Sequence, residues 1–553
     1  MEYPYLNSVL PWLTWSTAAT ILLSYLSGLA IYRLYLHPLS QFPGPKLAAV
    51  TRWYEGYYDV IQDGQYTFKI RDMHKKYGPI IRISPYELHV NDPAFYNTLY
   101  CHEGRWDRYA WVWDAWGAEG PTIHTSEHER HRARRQPLAP FFSRAKVIAQ
   151  QDIIRRNADK LCHRLSQIAA DVVPGKRIVN LGAAISAFAR DLSFEYTLGR
   201  SHNSLDSEDF DVAVLHLARG VGPLWRVTKH VGYVFHIVNR IPLDWLIWIL
   251  DEKTKNFFIH MKATMQDTKD VMASINNEPT TPQTSNCARR TIVHEILSSK
   301  LPPQDKRFQR VFEDVTSVSG AGFETTGSAL RLICFHIFSN ARILSTLRRE
   351  LESAEAEHAE SPLNPNPNPS PNPNDNNLNN TSPILPLKTL EKLPYLTATI
   401  TEGLRLSPGI ATRMARIAPD RDIVYQNSRN GRFSYRIPAG TPIGMTTLLL
   451  HTDEEIYPDP LSFKPERWIN EKKKKKPEGE APLYAPFSRG TRVCLGMHLA
   501  WAEMYIVLAA LIRRFDFQSL STKAEDFECI SDQFVTGIRG NGLLEARVEM
   551  CAE

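Results

Sequence analysis

The chain has 553 residues, 43% of them hydrophobic, and a net charge of +5. This is ample for a large buried core, and the basic residues form no tract beside aromatics, which excludes a nucleic-acid-binding protein. Seven cysteines, an odd number without a C-x-x-C pair, exclude a zinc knuckle or thioredoxin-like motif and leave a reducing compartment as the simplest reading.

No charge occurs between Tyr3 and Tyr32, and the stretch Trp12 to Tyr32 matches the ~20 apolar residues a bilayer core requires. The acidic start at Glu2, the long apolar run and the lack of a small-residue cleavage site speak against a cleaved signal peptide. Residues 1–36 therefore read as an uncleaved anchor with a helix over about 12–32. Arg33, Lys46 and Arg52 follow it, so the positive-inside tendency keeps the body in the cytosol.

Within 37–50, "HPLSQFPGPK" is stiffened by proline into a spacer, and 51–553 form one globular body without internal repeats. Residues 80–90 alternate like strands, as do parts of 423–448, where "NG" marks a hairpin turn. Helical periodicity covers 126–170, 183–200, 245–275, 308–352, 390–406 and 496–514, so the fold class is mainly α with a minor β-sheet region. The Pro/Asn-rich stretch 361–383 reads as a disordered loop, and the Lys-rich run 471–480 as a solvated one. The sequons at Asn379 and Asn380 should stay unmodified if the body is cytosolic.

Chemistry concentrates at "PFSRGTRVCLG". Cys494 stands between Arg489, Arg492 and a following helical run, a setting that lowers a thiol pKa. One thiolate is too few ligands for structural zinc but suits the axial position of a haem iron. Phe487, Gly490, Arg492, Cys494 and Gly496 fill F-x-x-G-x-R-x-C-x-G, and on this motif the chain resembles cytochrome P-450 haem-thiolate monooxygenases.

The resemblance implies the P-450 fold preceded by one transmembrane helix, haem b as cofactor, Cys494 as the metal ligand, and Phe487, Arg492 and Gly496 as haem-binding residues. "AGFETT" resembles the family's oxygen-binding stretch. It makes Ala321 and Gly322 part of the cofactor pocket and Glu324 and Thr325 the acid and alcohol of a proton relay. The family often has Asp where this chain has Glu324. Glycines at 320 and 322 cost a helix ~1 kcal/mol each, which a groove above the iron or a helix crossing would offset.

Glu402, Arg405 and Arg467 resemble the family's buried Glu-Arg-Arg network. His131, Arg135 and Arg416 are further candidates for the haem propionates, His131 standing where many relatives have Trp. Arg130, Arg132 and Arg134 form either a solvated face or a docking surface for an acidic reductase. Arg413 is a weaker candidate for pairing a substrate carboxylate. The aromatic stretch 105–117 lines the pocket or packs the core, and 241–250 touches the membrane or packs.

The resemblance is strongest to filamentous-fungal secondary-metabolism enzymes, including the trichodiene-oxygenase-like group. It implies a lipophilic substrate, terpenoid first, polyketide or alkaloid second. NADPH-derived electrons would come from a separate diflavin reductase, with cytochrome b5 as a second donor, at the endoplasmic reticulum membrane. Two other readings stay open: an O2-independent haem-thiolate isomerase or dehydratase, and a non-catalytic haem-binding protein.

Overall fold

The computed structural model describes residues 15–551 apart from 119, 172, 174–176, 235–240, 242–244, 246–247, 249–251, 278–289, 361–383, 428–433 and 471–481. The Pro/Asn insertion with its sequons, the Lys-rich run, the "NG" turn, residues 12–14 and most of 241–250 lie outside the described residues.

Proline and loop chemistry cut the long periodic stretches into pieces. The 126–170 stretch becomes α4 (His128–Arg135), the short helix Arg144–Ala149 and α5 (Gln151–Ala169), interrupted around Pro137 and Pro140, because proline removes a backbone donor. The 308–352 stretch is α9 (Phe308–Phe338) and α10 (Ala341–Ala359), separated where Asn340 caps the second helix through its side chain. The other helices are α1 (Trp15–Ile31), α2 (Tyr66–Tyr77), α3 (Ala110–Asp114), α6 (Leu181–Leu198), α7 (Val212–His230), α8 (Glu252–Asn277), α11 (Pro394–Leu406) and α12 (Met497–Arg514).

The main core lies among α5, α6, α9, α11 and α12. Helix α9 runs through it and packs along α6, which is buried almost all round. Helix α12 sits on the other side, and its run Met504–Ile512 is buried throughout. Each such Leu or Ile contributes roughly 1.5–3 kcal/mol.

Strands are short and peripheral. A five-stranded sheet has the order β1 (Ile80–Arg82), β2 (Leu88–Val90), β8 (Ile443–Gly444), β5 (Arg416–Ile417), β3 (Asp107–Arg108). In the β3–β5 register Arg108 lies opposite Arg416. Strands β6 (Ile423–Gln426) and β7 (Ser434–Ile437) form the expected antiparallel pair. Periodicity missed the sheet of β4 (Ile178–Asn180), β12 (Glu545–Met550) and β9 (Phe515–Ser519), and the hairpin of β10 (Cys529–Gln533) and β11 (Val535–Ile538).

Residues Trp15–Leu36 make one helix long and apolar enough to cross a membrane, with none of it buried. It is tied to the body at its end: Arg33 donates to the Val50 carbonyl and Tyr86 hydroxyl, and Arg82 donates to the Arg33 carbonyl.

Candidate functional site

The segment before α12 folds back so that the Cys494 amide donates to the Phe487 carbonyl at 3.0 Å. Gly490 adopts φ +72°, and a Cβ there would collide with the backbone of Tyr100 and Cys101. Only glycine meets both demands. Gly496 is the N-cap of α12, and its amide donates to the Cys494 sulfur.

The thiol chemistry differs from the sequence expectation. Burial pushes the Cys494 pKa up, and the Gly496 amide and Arg135 only oppose it. The flanking arginines are turned elsewhere. Arg489 serves Asn97 and the Tyr484 carbonyl, and Arg492 serves the carbonyls of Thr125, Ser126 and Glu127. Yet Cys494 keeps accessible surface although protein surrounds it. It therefore faces interior space rather than packed side chains.

A second opening lies on α9. Ala321 is exposed in the middle of this long, otherwise core-forming helix, and a Cβ at Gly320 would meet nothing within 4 Å. A Cβ at Gly496 would also meet nothing. Gly322 behaves differently: its Cβ would come within 2.5 Å of the Ser193 hydroxyl oxygen on α6. Of the two explanations for these glycines, Gly320 fits open space and Gly322 a helix crossing, so Gly322 faces α6.

Thr325 donates to the Ala321 carbonyl at 2.9 Å and touches Gly409, whose φ is +76°. Glu324 is turned to Arg331, two turns further along, with 3.6 Å between Oε1 and Nη2. Arg331 also donates to the Ser186 hydroxyl. Sequence reading named Glu324 but missed Arg331.

The propionate candidates converge. Arg492, Arg108, Arg135 and Arg416 all depress the pKa of buried His131, whose burial lowers it furthest. Arg108 and Arg416 are cross-strand neighbours, where like charges destabilise a sheet. Burial, with repulsion from Arg416 and Arg135, lowers the Arg492 pKa to about 9. Among the described residues, Asp107 offsets the Arg492 charge, while Arg108 and Arg416 have no neighbouring carboxylate to offset theirs. Arg416 Nη2, Arg492 Nε and Arg108 Nε are buried without partners among the described residues. Such a nest requires an anionic ligand, and the two propionates of a haem whose iron meets Cys494 fit it. Arg108 escaped the sequence reading because nothing local separates it from an ordinary strand arginine.

The Glu402 carboxylate is completely saturated. Arg405 donates to both oxygens at 2.8 Å, Arg467 to Oε1 at 3.2 Å, the Lys464 amide to Oε1 at 2.9 Å and Trp468 Nε1 to Oε2 at 3.0 Å. Arg405 also holds the His451 carbonyl.

Two other arginines are spoken for. Arg413 is buried between Glu55 and Glu87, bonded to both, so it is not available to a substrate carboxylate. Arg134 is buried on Asp305 at 2.6 Å, which leaves Arg130 and Arg132 as the exposed cations of α4. Glu55, Asp59 and His230 approach one another closely enough to hold a metal ion, but Lys229 and Arg413 already neutralise the two carboxylates. A cavity of about 540 Å³ lies away from Cys494, between His37–Leu39 and Pro438–Pro442.

A thiol at a helix start, a glycine-opened stretch of the central helix and an arginine nest short of anions are the features a haem-thiolate protein would need. The chain belongs to the cytochrome P450 family: the family model described as Cytochrome P450 matches residues 51–544. It is 37% identical over 506 residues to cytochrome P450 monooxygenase tpcC of Cochliobolus heterostrophus, covering 90% of this chain and 88% of that protein. It is 33% identical over 533 residues to N-acetyltryptophan 6-hydroxylase ivoC of Emericella nidulans, covering 96% of each. The fold matches the crystal structure of the cytochrome P450 CYP102L1 with a TM-score of 0.63 at 16% identity, over 88% of this chain and 94% of that one. The protein is a haem-thiolate monooxygenase of the fungal secondary-metabolism group.

Proposed function

We propose that this enzyme is a membrane-anchored monooxygenase in which Cys494 supplies the haem thiolate. Residues 1–36 anchor it, 37–50 space it, and 51–553 form the catalytic body on the cytosolic face of the endoplasmic reticulum. Electrons come from NADPH through a separate diflavin reductase, with cytochrome b5 as a second donor. The exposed Arg130 and Arg132 suit an acidic docking partner.

The observation that carries this reading is the combination of an accessible interior thiol and an anion-starved arginine nest. Bound haem supplies the reductive activation of O2 that places one oxygen atom in a C–H or C=C bond and releases the other as water. The chain's part is to hold and move charge. Gly496 N–H and Arg135 favour thiolate over thiol at Cys494 against the cost of burial. Arg108, Arg135, Arg416, Arg492 and His131 would hold the propionates, and Phe487 and Gly496 shape the loop. The Glu402–Arg405–Arg467 network fixes the segment leading to that loop. Thr325 holds its hydroxyl proton on the Ala321 carbonyl, and Glu324, positioned by Arg331, would relay protons from solvent toward it rather than supply its own.

The substrate is a lipophilic secondary metabolite. The trichodiene-oxygenase-like resemblance favours a terpenoid. An aromatic substrate is the second reading, favoured by relatives named as hydroxylases of N-acetyltryptophan and tryptophan and by the tryptophan-rich α3 region. The presence of Glu324 and Thr325 weighs against an O2-independent isomerase. The test is the spectrum of the dithionite-reduced protein with carbon monoxide beside Cys494→Ser. A strongly red-shifted Soret band lost in the variant is expected; a histidine-type band or none would overturn the assignment.

A further inference from the structure

The cavity of about 540 Å³ between His37–Leu39 and Pro438–Pro442 takes no part in the haem site. Its place is set by the membrane helix. The apolar span ends at Leu36, and the residues that follow, His37–Leu39, line the cavity. The foot of the helix is tied to it, because Arg33 donates to the Val50 carbonyl and to the hydroxyl of Tyr86, itself part of the wall. With the helix in a bilayer, the cavity lies at the level of the lipid headgroups.

The charge at this corner is one-sided. Arg52 lines the cavity, Arg33 stands behind Tyr86, and Arg82 donates to the carbonyls of Arg33 and Pro85. Among the described residues, the bonds of these three arginines go to carbonyl and tyrosine oxygens and none to a carboxylate. No carboxylate lines the cavity either. Glu55 and Glu87 favour the Arg52 charge from beyond bonding distance, but both are bonded to Arg413. Asp422, bonded to the Ala439 amide, is paired with Arg436. Burial, with repulsion from Arg33, lowers the Arg82 pKa to about 10. Positive charge withdrawn from water without a counter-ion is costly, and an anionic ligand removes that cost.

Arg52 is also held ready. Its guanidinium lies over the rings of Trp111, Tyr86 and Tyr109 at 4.4, 4.8 and 5.5 Å, and it donates to the Tyr109 hydroxyl. Its Nε is buried without an acceptor among the described residues. A side chain fixed in this way loses little entropy when an anion arrives. His37 takes the Leu39 amide on Nδ1, which leaves its neutral ring a donor at Nε2.

Two features select a lipid over a free anion. The volume falls within the roughly 300–1,000 Å³ of sites for whole small molecules, more than one phosphate fills. Tyr35 and Leu36 precede His37, Trp53 follows Arg52, and all three are mostly exposed, so apolar surface adjoins the cations. An anionic head on an apolar tail matches both.

We propose that the cavity holds the phosphate headgroup of an anionic phospholipid, with Arg52 on the phosphate and Arg33 and Arg82 adding to the positive field. The proposal rests on the membrane-anchor reading and adds a discrete lipid site to it.

The test uses the full-length haem-loaded protein. Flotation with phosphatidylcholine vesicles comes first, so failure of the anchor is seen separately. The protein is then extracted in detergent from mixed phosphatidylcholine and phosphatidylserine membranes, and retained lipid is measured by native mass spectrometry. Wild type should retain phosphatidylserine in preference to phosphatidylcholine. Arg52→Gln should lower the retained phosphatidylserine about tenfold. Ala439→Phe keeps every cation but fills the cavity, and should act alike. Lys46→Gln removes an exposed charge at the helix foot and should change nothing. The carbon monoxide spectrum and urea midpoint show that each variant is folded. The proposal is overturned if phosphatidylcholine is retained equally, if Lys46→Gln costs as much as Arg52→Gln, or if folded Ala439→Phe keeps the lipid. Displacement of the lipid by inorganic phosphate would also overturn it, because the occupant would then be a free anion.

Discussion

Glu324 and Arg331 stand two turns apart on the central helix and face each other across 3.6 Å, with the guanidinium only 1% exposed. Among the described residues, Glu324 is the carboxylate that offsets the Arg331 charge. A buried cation that cannot deprotonate thus depends on the acid assigned to proton relay.

Removing either member leaves the other uncompensated. Arg331→Met and Glu324→Gln should each destabilise the fold by about 3 kcal/mol, and the double variant should recover at least half of the combined loss, because no lone charge remains. Urea unfolding of the four proteins measures this. Glu324→Gln should also lower product formation roughly 100-fold, while NADPH oxidation continues with release of hydrogen peroxide.

The Glu402 network makes a sharper demand. Four donors besides the second Arg405 bond converge on one carboxylate that is fully buried, as is Arg405. Glu402→Ala strips their acceptor and should cost about 3–5 kcal/mol, with little haem retained on purification. Glu402→Gln keeps one acceptor oxygen and should fall between. The haem-to-protein absorbance ratio and the unfolding midpoint should follow the same order; equal haem content in all three would remove the structural role.

Local pattern made part of this visible beforehand. The loop around Cys494 was legible because its glycines and arginine are close in sequence and each has a local backbone or charge reason to be there. Helix periods located α6 and α12 to within a few residues and the start of α9, but ran α9 into α10, since these helices bury broad apolar faces and the Asn340 cap between the two is a single residue. What escaped depends on long-range pairing. Arg108 and Arg416 are 308 positions apart in number yet share a strand register. β4, β9 and β12 are brought together only by the fold. The helix-start argument for Cys494 also overreached, because it counted Arg489 and Arg492 as facing the sulfur and did not count burial.

The arginine nest makes opposite predictions for the two forms of the protein. Without haem, Arg108, Arg416, Arg492 and Arg135 repel one another around His131. Arg108→Gln should therefore stabilise the haem-free protein, by about 1 kcal/mol. With haem, the same change removes a propionate partner and should speed haem transfer to an apomyoglobin acceptor about tenfold. A loss of stability in both forms would mean that Arg108 acts only through the bond it donates to the Ile123 carbonyl and its position over the Trp113 ring.

Acid should unfold the protein through histidines that fold neutral. Burial lowers the His74 pKa to about 4 and the His451 pKa to about 3. At His451 the bonding also leaves no room for a second proton, whereas His74 is held neutral by burial. His74 contacts the Gly78 carbonyl and His89, and His451 contacts the Arg405 carbonyl while accepting from the Ala485 amide. Unfolded histidine binds a proton near pH 6.5. Below that value the unfolded state takes up protons that the native state refuses, so stability falls as pH falls. The loss continues until the folded pKa is passed, near pH 4 for His74 and near pH 3 for His451. The windows correspond to about 3 kcal/mol for His74 and about 5 kcal/mol for His451. Urea midpoints should be flat from pH 8 to 7 and drop steeply from pH 6 to 4.5. His74→Gln, which can still donate to the Gly78 carbonyl, should flatten the slope by about one proton; an unchanged slope would place the acid sensitivity in the carboxylates instead.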